Sequence, residues 1–599
     1  MCGIAGIINV ENLKKNIELL NCSLKHRGPD DFGYFIDKKS NLALTSTRLS
    51  IIGLKYGKQP KVSKRKNVIL VFNGEIFNYK YLGKKYLKYP DVKSDTEVIM
   101  KLYLKYGISF LKKLNGMFAI AIYDKRKNKL FLIRDRFGIK PLYFSFKDKK
   151  LIFSSELNSI VSILKKNLSI NFQAVNNYIT LGFVDSPHTI YNEVNKLNAA
   201  TYLIYNLKSK TILKKKWWKL KINKKLKKLD FKTSCKKVEQ QLIRSINLWS
   251  VSDVPISFLL SGGVDSGLLA SIFIKKELKK KEEVKTYSYV YDSKDTYKNW
   301  NEHKTIDSFI KMYRNKNSKY YFSQKKFKKE LIKILTHLGE PFGGGLPPWY
   351  LLKEVRKKHK VVIAGIGGDE LFGNYNRPYK ILKNFKSKIY EISKFKKKYF
   401  YNSMYNADSN FKKKYTNLNL EQLKDPAEKY FNKILLRKNK FSKFDNLSLL
   451  DLDLGLADDF LYYSDRSSMA HSVELRTPYL DHKLVELAFS LSEKVRVNKN
   501  LYKPILRFLA KLYLPVEYLE QTKKGFSAPL SLSMRGNLKN LVKEFLSKEN
   551  LRKVGIINEI FHDDYVEPML RGENNNIQLI WNIFILQIWF LRVSKTIKS

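Results

Sequence analysis

The sequence predicts an α+β domain followed by an α/β domain with a parallel sheet and a helical carboxyl-terminal part. Three observations lead to this prediction. The chain has 599 residues, too many for one hydrophobic core, so two or more domains are expected. Residues 1–200 carry short apolar and β-branched runs separated by turn residues. Further along, strand and helix patterns alternate, and from about residue 380 the pattern is largely helical.

In the amino-terminal domain, strands are predicted where apolar runs end in Gly, Asn or Asp. These runs are NLALTSTRLSIIG, NVILVFNGEIFNY, GMFAIAIYDKRKNKLFLIRDRFG and KLIFSSEL. A helix is predicted in SDTEVIMKLYLKYG, where Ser94 or Asp95 can cap the amino terminus. Together these patterns predict the α+β domain.

A lysine-rich stretch with weak patterning spans residues 207–231 and predicts the domain boundary. The first domain is therefore placed at residues 2–206 and the second at residues 232–599. In the second domain, strands are predicted in VPISFLL, VKTYSYVY, KYYF and KVVIAGIG, with helices between them. One of these helices is expected near residues 303–313. Such alternation predicts a parallel sheet.

The composition argues against several classes of protein. The formal net charge is +58, but the positive residues are mostly Lys and are spread along the chain, so no nucleic-acid partner is expected. Three widely separated cysteines favour a reducing compartment, and a cytoplasmic location is expected. No signal peptide is expected at the amino terminus. The apolar segment IQLIWNIFILQIWFLRV is interrupted by Asn582 and Gln587 and predicts a buried helix, with no membrane contact.

The segment LLSGGVDSGLL lies between a predicted strand and a predicted helix and has the features of a phosphate site. Glycines let the backbone approach an anion, and hydroxyls and the helix amino terminus can bind it. The residues concerned are Ser261, Gly262, Gly263, Asp265 and Ser266. The G-x-x-x-x-G-K-[ST] pattern does not occur, so this is not a Walker A loop. An ordinary Gly-rich turn is the alternative, but the strand–SGGVDS–helix context favours the phosphate site.

Read outward from this loop, the chain resembles the glutamine-dependent asparagine synthetases over nearly its full length. SGGVDS itself is similar to the pyrophosphate loop of PP-loop ATPases. Further blocks follow in the family's order: MCGIAGI, HRGPDDFG, TRLSIIG, NGEIFNY, SDTEVIM, RDRFGIKPLYF, GGDELFGNY, DRSSMAHSVELRTPYLDHKLVELA, KPILR and KKGFSAP. The resemblance implies a class II glutamine amidotransferase domain with the amino-terminal nucleophile fold of stacked antiparallel sheets, followed by a PP-loop ATPase domain.

For the first domain, the resemblance implies that Met1 is removed and that Cys2 attacks glutamine. A free α-amine, with a reference pKa of about 7.7–8.0, can take the thiol proton near neutral pH. By the same resemblance, Asn73 and the Gly74 N–H stabilise the oxyanion, although Asn-Gly is also the favoured pair of a type I′ hairpin turn. The resemblance further implies that glutamine is bound by Arg48 at its α-carboxylate, by Asp95 at its α-ammonium, and by Leu49, Ser50, Ile51, Ile52, Asn73, Gly74 and Glu75.

For the second domain, the resemblance implies that ATP, with Mg²⁺, converts an acceptor carboxylate into an acyl-adenylate. The expected ATP-binding residues are Leu259, Ser261, Gly262, Gly263, Asp265, Ser266, Tyr291, Ala364 and Gly365. The expected metal ligands are Asp265 and Asp369. Lys503 is expected to stabilise charge on the α-phosphorus. The alternative is that it is simply one of the many lysines of this chain and has no catalytic role. The charged residues of DRSSMAHSVELRTPYLD are interpreted as a structural ion-pair network, and they are Asp465, Arg466, Glu474, Arg476 and Asp481.

The sequence departs from the family pattern at Ile366, where the family places a glutamate. Isoleucine cannot take the proton that ammonia must lose when it attacks the adenylate. Glu340, Glu370 or a water can replace that base, and the sequence leaves the choice open. The segment GEPFGGGLPPWY is also richer in glycine than expected near the acceptor.

Three hypotheses follow. The first is an asparagine synthetase with an altered base, the second an amidotransferase for another carboxylate such as a sugar acid or an envelope precursor, and the third a non-catalytic binding protein. The complete set of predicted catalytic residues argues against the third, and the close motif agreement favours the first. The expected partners are glutamine, ATP and aspartate. The resemblance alone implies a homodimer and a sheltered, largely apolar passage for ammonia.

Overall fold

The structure is a computed structural model that describes residues 2–277, 283–291, 301–346, 348–373, 390–396, 407–497, 503–520, 529–573 and 576–598. Met1, most of the KKGFSAP block and the end of the GGDELFGNY block lie outside these residues. The described residues form an antiparallel β domain with helices, a parallel sheet with helices, and a helical carboxyl-terminal part, as the sequence predicts.

Two antiparallel sheets make up the first domain. Their strands are β1 (Cys2–Ile8), β2 (Asp31–Asp37), β3 (Leu42–Arg48), β4 (Lys61–Val62), β5 (Val68–Ile76), β6 (Gly116–Asp124), β7 (Lys129–Arg134), β8 (Tyr143–Lys147), β9 (Lys150–Ser154), β10 (Asn195–Lys196), β11 (Thr201–Asn206) and β12 (Thr211–Lys216). The first sheet has the order β10-β8-β9-β1-β3-β2, and the second has the order β12-β11-β7-β6-β5-β4. Strand β12 extends the second sheet into the stretch 207–231 that was predicted as the domain boundary.

The two sheets stack face to face because each presents one apolar face to the other. Ile4 and Leu44 of the first sheet and Val71 and Leu132 of the second belong to one fully buried cluster. This stacking brings the beginning of β1 close to the middle of β5. Helices cover the outer faces: α1 (Leu13–Ser23), α2 (Tyr79–Leu87), α3 (Asp95–Tyr106), α4 (Leu157–Leu164) and α5 (Phe172–Leu181).

Helix α3 begins where the sequence predicts. Ser94 is its amino-terminal cap, and the Ser94 hydroxyl accepts a hydrogen bond from the Glu97 N–H at 3.3 Å. Asp95 is the first helical residue and is only 4% exposed, so its carboxylate lies inside the domain. Gly107 follows the helix with a positive φ of 56°, a conformation that favours glycine.

A five-stranded parallel sheet forms the centre of the second domain. Its strands are β13 (Ile256–Leu259), β14 (Lys285–Val290), β15 (Lys316–Tyr321), β16 (Val361–Ile363) and β17 (Glu474–Arg476), in the order β15-β14-β13-β16-β17. The helices associated with it are α6 (Phe231–Trp249), α7 (Val264–Glu277), α8 (His303–Tyr313), α9 (Gln324–Leu338), α10 (Pro348–Arg356) and α11 (Gly368–Phe372). The loops that follow β13 and β16 lie at the same edge of this sheet, because the two strands are parallel neighbours.

The remaining described residues are largely helical. They form α12 (Ile392–Lys394), α13 (Ser409–Tyr415), α14 (Pro426–Arg437), α15 (Lys443–Asp451), α16 (Leu461–Met469), α17 (His482–Ser490), α18 (Glu493–Arg496), α19 (Pro504–Tyr513), α20 (Glu517–Glu520), α21 (Leu530–Arg535), α22 (Lys539–Phe545), α23 (Lys548–Val554), α24 (Glu567–Arg571), α25 (Ile577–Ile588) and α26 (Ser594–Lys598). Single π-helical stretches join some of them, at Leu452–Phe460, His562–Val566 and Trp589–Val593.

Helix α25 confirms the prediction of a buried apolar helix. Residues 577–597 are long and apolar enough to cross a membrane, with a mean hydropathy of 1.4, but 67% of the most apolar window is buried within the protein. Asn582, which interrupts the apolar run, is 1% exposed, and its backbone carbonyl accepts a hydrogen bond from Tyr178 of the first domain at 2.9 Å. The helix is thus part of the core that joins the two domains.

Buried ion pairs connect the domains. The Arg27 guanidinium contacts Glu156 Oε1 at 2.6 Å and Asp465 Oδ2 at 2.9 Å, and Arg466 pairs with the same Glu156 carboxylate. Lys140 Nζ lies 3.4 Å from Asp465 Oδ1. The interpretation of Asp465 and Arg466 as members of a structural network is therefore confirmed, and their partners come from the first domain.

Candidate active sites

Cys2 begins β1 and is buried between the stacked sheets, with 6% of its surface exposed. Its backbone N–H donates to Asn73 Oδ1 at 3.2 Å, and its carbonyl accepts from Arg27 Nε at 3.2 Å. Burial raises the pKa of the Cys2 thiol, and the positive charge of Arg48 opposes that rise. The thiol therefore depends on a nearby base to become a thiolate at neutral pH.

Asn73 and Gly74 lie inside β5, and the hairpin-turn interpretation of this pair is wrong. Asn73 pairs with Ala119 and Gly74 with Phe118, in the middle of the long antiparallel pairing of β5 with β6. Glycine is required because φ is 145° and a Cβ at position 74 would lie 2.0 Å from the Met117 carbonyl oxygen. The continuous buried pattern of this strand outweighs the local turn preference of Asn-Gly.

Arg48 is paired with Cys2 across the β1–β3 ladder, and it shapes the loop that follows. Its guanidinium donates to the carbonyl oxygens of Ile52 at 3.2 Å, Gly53 at 2.8 Å and Leu54 at 2.9 Å. This loop, residues 49–54, is named the glutamine loop below because the predicted glutamine contacts Leu49, Ser50, Ile51 and Ile52 all lie in it. The structure thus brings Arg48, the loop and Cys2 together as predicted.

Two buried carboxyls, Asp95 and Glu75, lie on the other side of this site. Asp95 accepts from the Ile76 N–H at 3.1 Å and from the Thr96 N–H at 2.7 Å. Burial raises the pKa of Asp95 to about 6. Burial, together with the carboxylates of Glu474 and Asp95, raises the pKa of Glu75 well above its usual value. The pair therefore tends to share one proton at neutral pH and to keep one negative charge.

Sequence reasoning missed Gln59. Its side-chain amide bonds the backbone of Phe72 on β5, accepting from the N–H at 2.6 Å and donating to the carbonyl at 3.0 Å. The same amide nitrogen lies 3.9 Å from Cys2 Sγ. No local pattern marks Gln59, because its role depends on a strand that is distant from it in the chain.

The SGGVDS loop connects β13 to α7, as predicted, and its own polar groups hold it in shape. The Ser261 and Ser266 hydroxyls lie 2.8 Å apart, and the Ser261 hydroxyl also accepts from the Gly263 N–H at 3.2 Å. The Gly262 N–H donates to Glu302 at 2.9 Å. The loop lies at the sheet edge where β13 ends, and N–H groups and hydroxyls are the kinds of groups that bind phosphate oxygens.

Lys503, Asp265 and Asp369 meet beside this loop. Lys503 Nζ contacts Asp265 and lies 2.7 Å from Asp369 Oδ1, and Lys503 is 6% exposed. Despite its burial, these two carboxylates raise the pKa of Lys503, so it stays charged. Gly368 leaves room for the cluster, since a Cβ there would lie 2.7 Å from Asp265 Oδ1. The carboxylates of Asp265 and Asp369 are hard oxygen ligands that fit Mg²⁺.

The predicted nucleoside wall is continuous. Leu259, Tyr291, Ala364 and Ile366 all belong to or pack against one apolar cluster at the same edge of the sheet. Gly365 packs closely on the SGGVDS loop, where a Cβ would lie 2.8 Å from the Ser266 backbone nitrogen and 3.0 Å from the Asp265 carbonyl carbon. The predicted ATP-binding residues therefore all lie in the same region of the second domain.

The two carboxyls considered as replacements at Ile366 have different surroundings. Glu340 pairs with Lys196 Nζ at 2.8 Å and accepts from the Ile190 N–H, so it serves the domain interface. Glu370 follows Asp369 in α11 and is buried there. The glycine-rich segment has a packing reason of its own, because a Cβ at Gly343 would lie 2.0 Å from Asn582 Oδ1.

One further group of metal-type ligands occurs among the described residues, formed by His26, Glu156 and His337, whose ligand atoms lie within 4.8 Å of one another. Burial and the nearby positive charges of Arg27 and Arg466 lower the pKa of His26 to about 3. Because both guanidiniums already pair with Glu156, a cation is disfavoured here. We assign no metal to this group.

Comparisons with known proteins agree with this architecture. A family model for a glutamine amidotransferase domain matches residues 1–218, and a family model for asparagine synthase matches residues 237–591. The chain is 28% identical over 635 aligned positions to asparagine synthetase (glutamine-hydrolysing) 1 of Bacillus subtilis, covering 98% of this chain and 96% of that protein. It is 36% identical over 398 positions to a Methanocaldococcus jannaschii protein with the provisional name asparagine synthetase (glutamine-hydrolysing) 2, covering 63% of this chain and 76% of that protein.

Among solved structures, an allosteric regulatory enzyme of purine biosynthesis aligns with 53% of this chain and 80% of its own at 14% identity, with a TM-score of 0.28. That similarity is too low to support a conclusion. The fold and the two sites define a glutamine-dependent ligase with an amidotransferase domain and a synthetase domain. The chain belongs to the asparagine synthase family, because the family model covers more than half of its length.

Proposed function

We propose that the protein is a glutamine-hydrolysing asparagine synthetase. It converts ATP, L-aspartate, L-glutamine and water into AMP, diphosphate, L-asparagine and L-glutamate. The observation that carries this proposal is the cluster of buried Lys503 with the partly exposed Asp265 and Asp369 beside the SGGVDS loop. A charged lysine next to metal-type carboxylates and a phosphate loop is the equipment that adenylation of a carboxylate requires.

In the first domain, the α-amine of Cys2, released when Met1 is removed, takes the thiol proton. The thiolate attacks the glutamine carboxamide, and the Asn73 amide and the Gly74 N–H stabilise the oxyanion. The protonated α-amine gives its proton to the leaving nitrogen, ammonia departs, and water hydrolyses the resulting thioester to glutamate. Arg48 binds the α-carboxylate of glutamine, and Asp95 with Glu75 binds its α-ammonium.

In the second domain, the SGGVDS loop binds the β- and γ-phosphates that leave as diphosphate. Lys503 stabilises the negative charge that develops on the α-phosphorus when the aspartate β-carboxylate attacks it. Asp265 and Asp369 would hold Mg²⁺, which supplies positive charge to the phosphates. The nucleoside lies against Leu259, Tyr291, Ala364 and Gly365, and the product of this step is the β-aspartyl-adenylate.

Ammonia must travel from Cys2 to the adenylate without becoming ammonium. An apolar cluster shared by both domains supports a sheltered route. It contains Phe77, Met117 and Ile139 of the first domain with Leu260 and Ile363 of the second. Small neutral ammonia can cross such surroundings, whereas the ammonium ion pays a large desolvation cost.

A second candidate function is favoured by Ile366 alone. This residue packs against two apolar clusters at the edge that carries the ATP site. An apolar side chain in place of a carboxylate changes both the proton acceptor and the polarity of the acceptor pocket. The second candidate is therefore a related ATP-dependent amidotransferase that amidates another carboxylate.

Diphosphate release from ATP distinguishes the two candidates. With glutamine as the nitrogen donor, we expect release to depend on aspartate and to match the asparagine formed one to one. Glutamine hydrolysis with no aspartate-dependent diphosphate release would reject the first candidate. In that case the same assay with a panel of sugar acids and peptidyl carboxylates identifies the acceptor.

The raised pKa of Asp95 predicts the acid limb of glutamine hydrolysis. The Asp95 carboxylate must be ionised to bind an α-ammonium, and its pKa is about 6. Protonation of the Cys2 α-amine already lowers kcat/KM for glutamine at higher pH. Below about pH 6 we expect a further fall of about tenfold for each pH unit, because kcat/KM reports the free enzyme. The D95N variant should show a low kcat/KM without this limb. An unchanged limb in D95N would assign it to another group.

A further inference from the structure

A short segment of the second domain contacts the glutamine loop of the first. This segment, residues 249–253, begins at the last residue of α6 and leads towards β13. The Asp253 N–H donates to the Ile51 carbonyl at 3.0 Å, and Asp253 Oδ2 accepts from the Gly53 N–H at 2.7 Å. One aspartate therefore bonds the glutamine loop through both its backbone and its side chain.

These bonds complete the support of the loop. Arg48 holds the carbonyl oxygens of Ile52 and Gly53 from within the first domain, whereas Asp253 holds Ile51 and the Gly53 N–H from the second. Apolar contact adds to this support, since Val251 and Val254 pack against the cluster that contains Leu49, Ile51 and Ile52. The backbone that is proposed to contact glutamine is thus fixed from both domains.

The same segment is bonded to the strand beside the ATP site. Arg476, which is fully buried on β17, donates from Nη1 to the carbonyl oxygens of Trp249 and Val251, each at 2.8 Å. The backbone carbonyl of Arg476 accepts from the Ala364 N–H at 2.9 Å. Ala364 and Gly365 begin the loop that packs on SGGVDS. The loop that begins at Ala364 and Gly365 is named the ATP loop. A continuous series of hydrogen bonds therefore runs from the ATP loop, through Arg476 and residues 249–253, to the glutamine loop.

Arg476 is well suited to hold this position rigidly. Its Nε donates to Glu474 Oε1 at 2.6 Å, and its guanidinium lies 5.0 Å from the centre of the Phe77 ring, which itself packs on Trp249. A planar guanidinium with several fixed partners in a buried place has little rotational freedom. A shift of the backbone at Arg476 is therefore passed to residues 249–253 and is not absorbed by a flexible side chain.

We propose that Asp253 is a positioning residue for glutamine and that residues 249–253 couple the glutamine loop to the ATP loop. The inference rests on the proposed function of the glutamine loop. When ATP orders the loop at Ala364 and Gly365, the segment orders the glutamine loop, and glutamine binds more tightly. By linkage, glutamine strengthens the binding of ATP by the same factor.

The test measures kcat and KM for glutamine hydrolysis, with and without ATP and Mg²⁺, in four proteins: the wild type, D253A, D253N and D230A. D253A removes the acceptor of the Gly53 N–H, whereas the amide oxygen of D253N can still accept it. D230A is the matched control, because Asp230 also accepts a backbone N–H, that of Thr233 at 2.9 Å, at the other end of α6. Melting temperatures identify any variant that fails to fold.

In the wild type we expect ATP to lower KM for glutamine about fivefold, the lower range of typical coupling. In D253A, KM without ATP should rise about tenfold, kcat should change less than about twofold, and the effect of ATP should disappear. D253N and D230A should keep the coupling of the wild type.

Two results would overturn the inference. One is a D253A protein with the KM and the ATP effect of the wild type, and the other is a wild-type KM that does not respond to ATP. If the wild type hydrolyses no glutamine at all, the proposed function of the first domain fails instead. These outcomes separate the two proposals.

Discussion

Replacing Cys2 with alanine should lower glutamine-dependent synthesis by at least about 10³-fold and leave ammonia-dependent synthesis intact, because the change removes the nucleophile alone. The Cys2 thiol lies 3.9 Å from the Gln59 amide nitrogen and also contacts the Leu49 backbone. Both contacts belong to the first domain, so the change leaves the synthetase site undisturbed. The bond from position 2 to Asn73 uses backbone nitrogen and survives the change. Asparagine formation is measured with glutamine or with ammonium chloride as the nitrogen donor.

The matched control for this experiment is C22A. Cys22 is a free and exposed cysteine on α1 of the same domain, and its replacement should leave both activities unchanged. Loss of the ammonia-dependent activity in C2A would contradict the division of labour between the two domains. Retained glutamine-dependent synthesis in C2A would reject Cys2 as the nucleophile.

Replacing Lys503 with methionine should impair the synthetase reaction and spare glutamine hydrolysis, which is the reverse of the effect expected for C2A. We expect diphosphate release from ATP to fall by at least about 10²-fold, because a fixed charge that stabilises a transition state contributes several kcal/mol. Glutamine hydrolysis without ATP should stay within about twofold of the wild type. The reason is that Lys503 forms ion pairs with Asp265 and Asp369 of the second domain, and with no described residue of the first. The two reactions are measured separately, as diphosphate and as glutamate.

A matched control for this variant is K511M. Lys511 lies on the helix α19 that follows Lys503, is exposed, and should tolerate the same change. A K503R variant keeps the charge in a bulkier form and should retain part of the activity. If K503M releases diphosphate at the wild-type rate, Lys503 only neutralises the two partly exposed carboxylates. In that case its loss should appear as a lower melting temperature alone.

Much of the fold was predictable from the sequence because its signals are local. Three examples are the cap at Ser94, the strand–SGGVDS–helix unit and the buried apolar helix α25. Each depends on residues that are close to one another in the sequence. The order of the family's blocks predicted both the domains and the candidate site residues. These residues then proved to lie in two compact groups, one at Cys2 and one at Lys503.

The alternative interpretation that the structure excludes also had a local origin. Asn73–Gly74 has the composition of a hairpin turn, yet it lies within β5, where the pairing with β6 and burial on both faces exceed the turn preference. Gln59 and Asp253 were not predicted at all. Each acts on a strand or loop that is far from it in the sequence, so no spacing or motif can reveal it.

The sequence by itself determined which reactive groups the chain carries: a cysteine at position 2, a glycine-rich loop, two carboxylates and a lysine in a recognisable order. The tertiary structure decided which of these groups meet and what holds them. Stacking of two sheets places Cys2 against Asn73, and the parallel pairing of β13 with β16 brings Asp265 to Asp369. The contact of residues 249–253 with the glutamine loop exists only when both domains are folded together. Hydrogen bonds and burial between distant segments depend on packing, and local sequence preferences do not encode them.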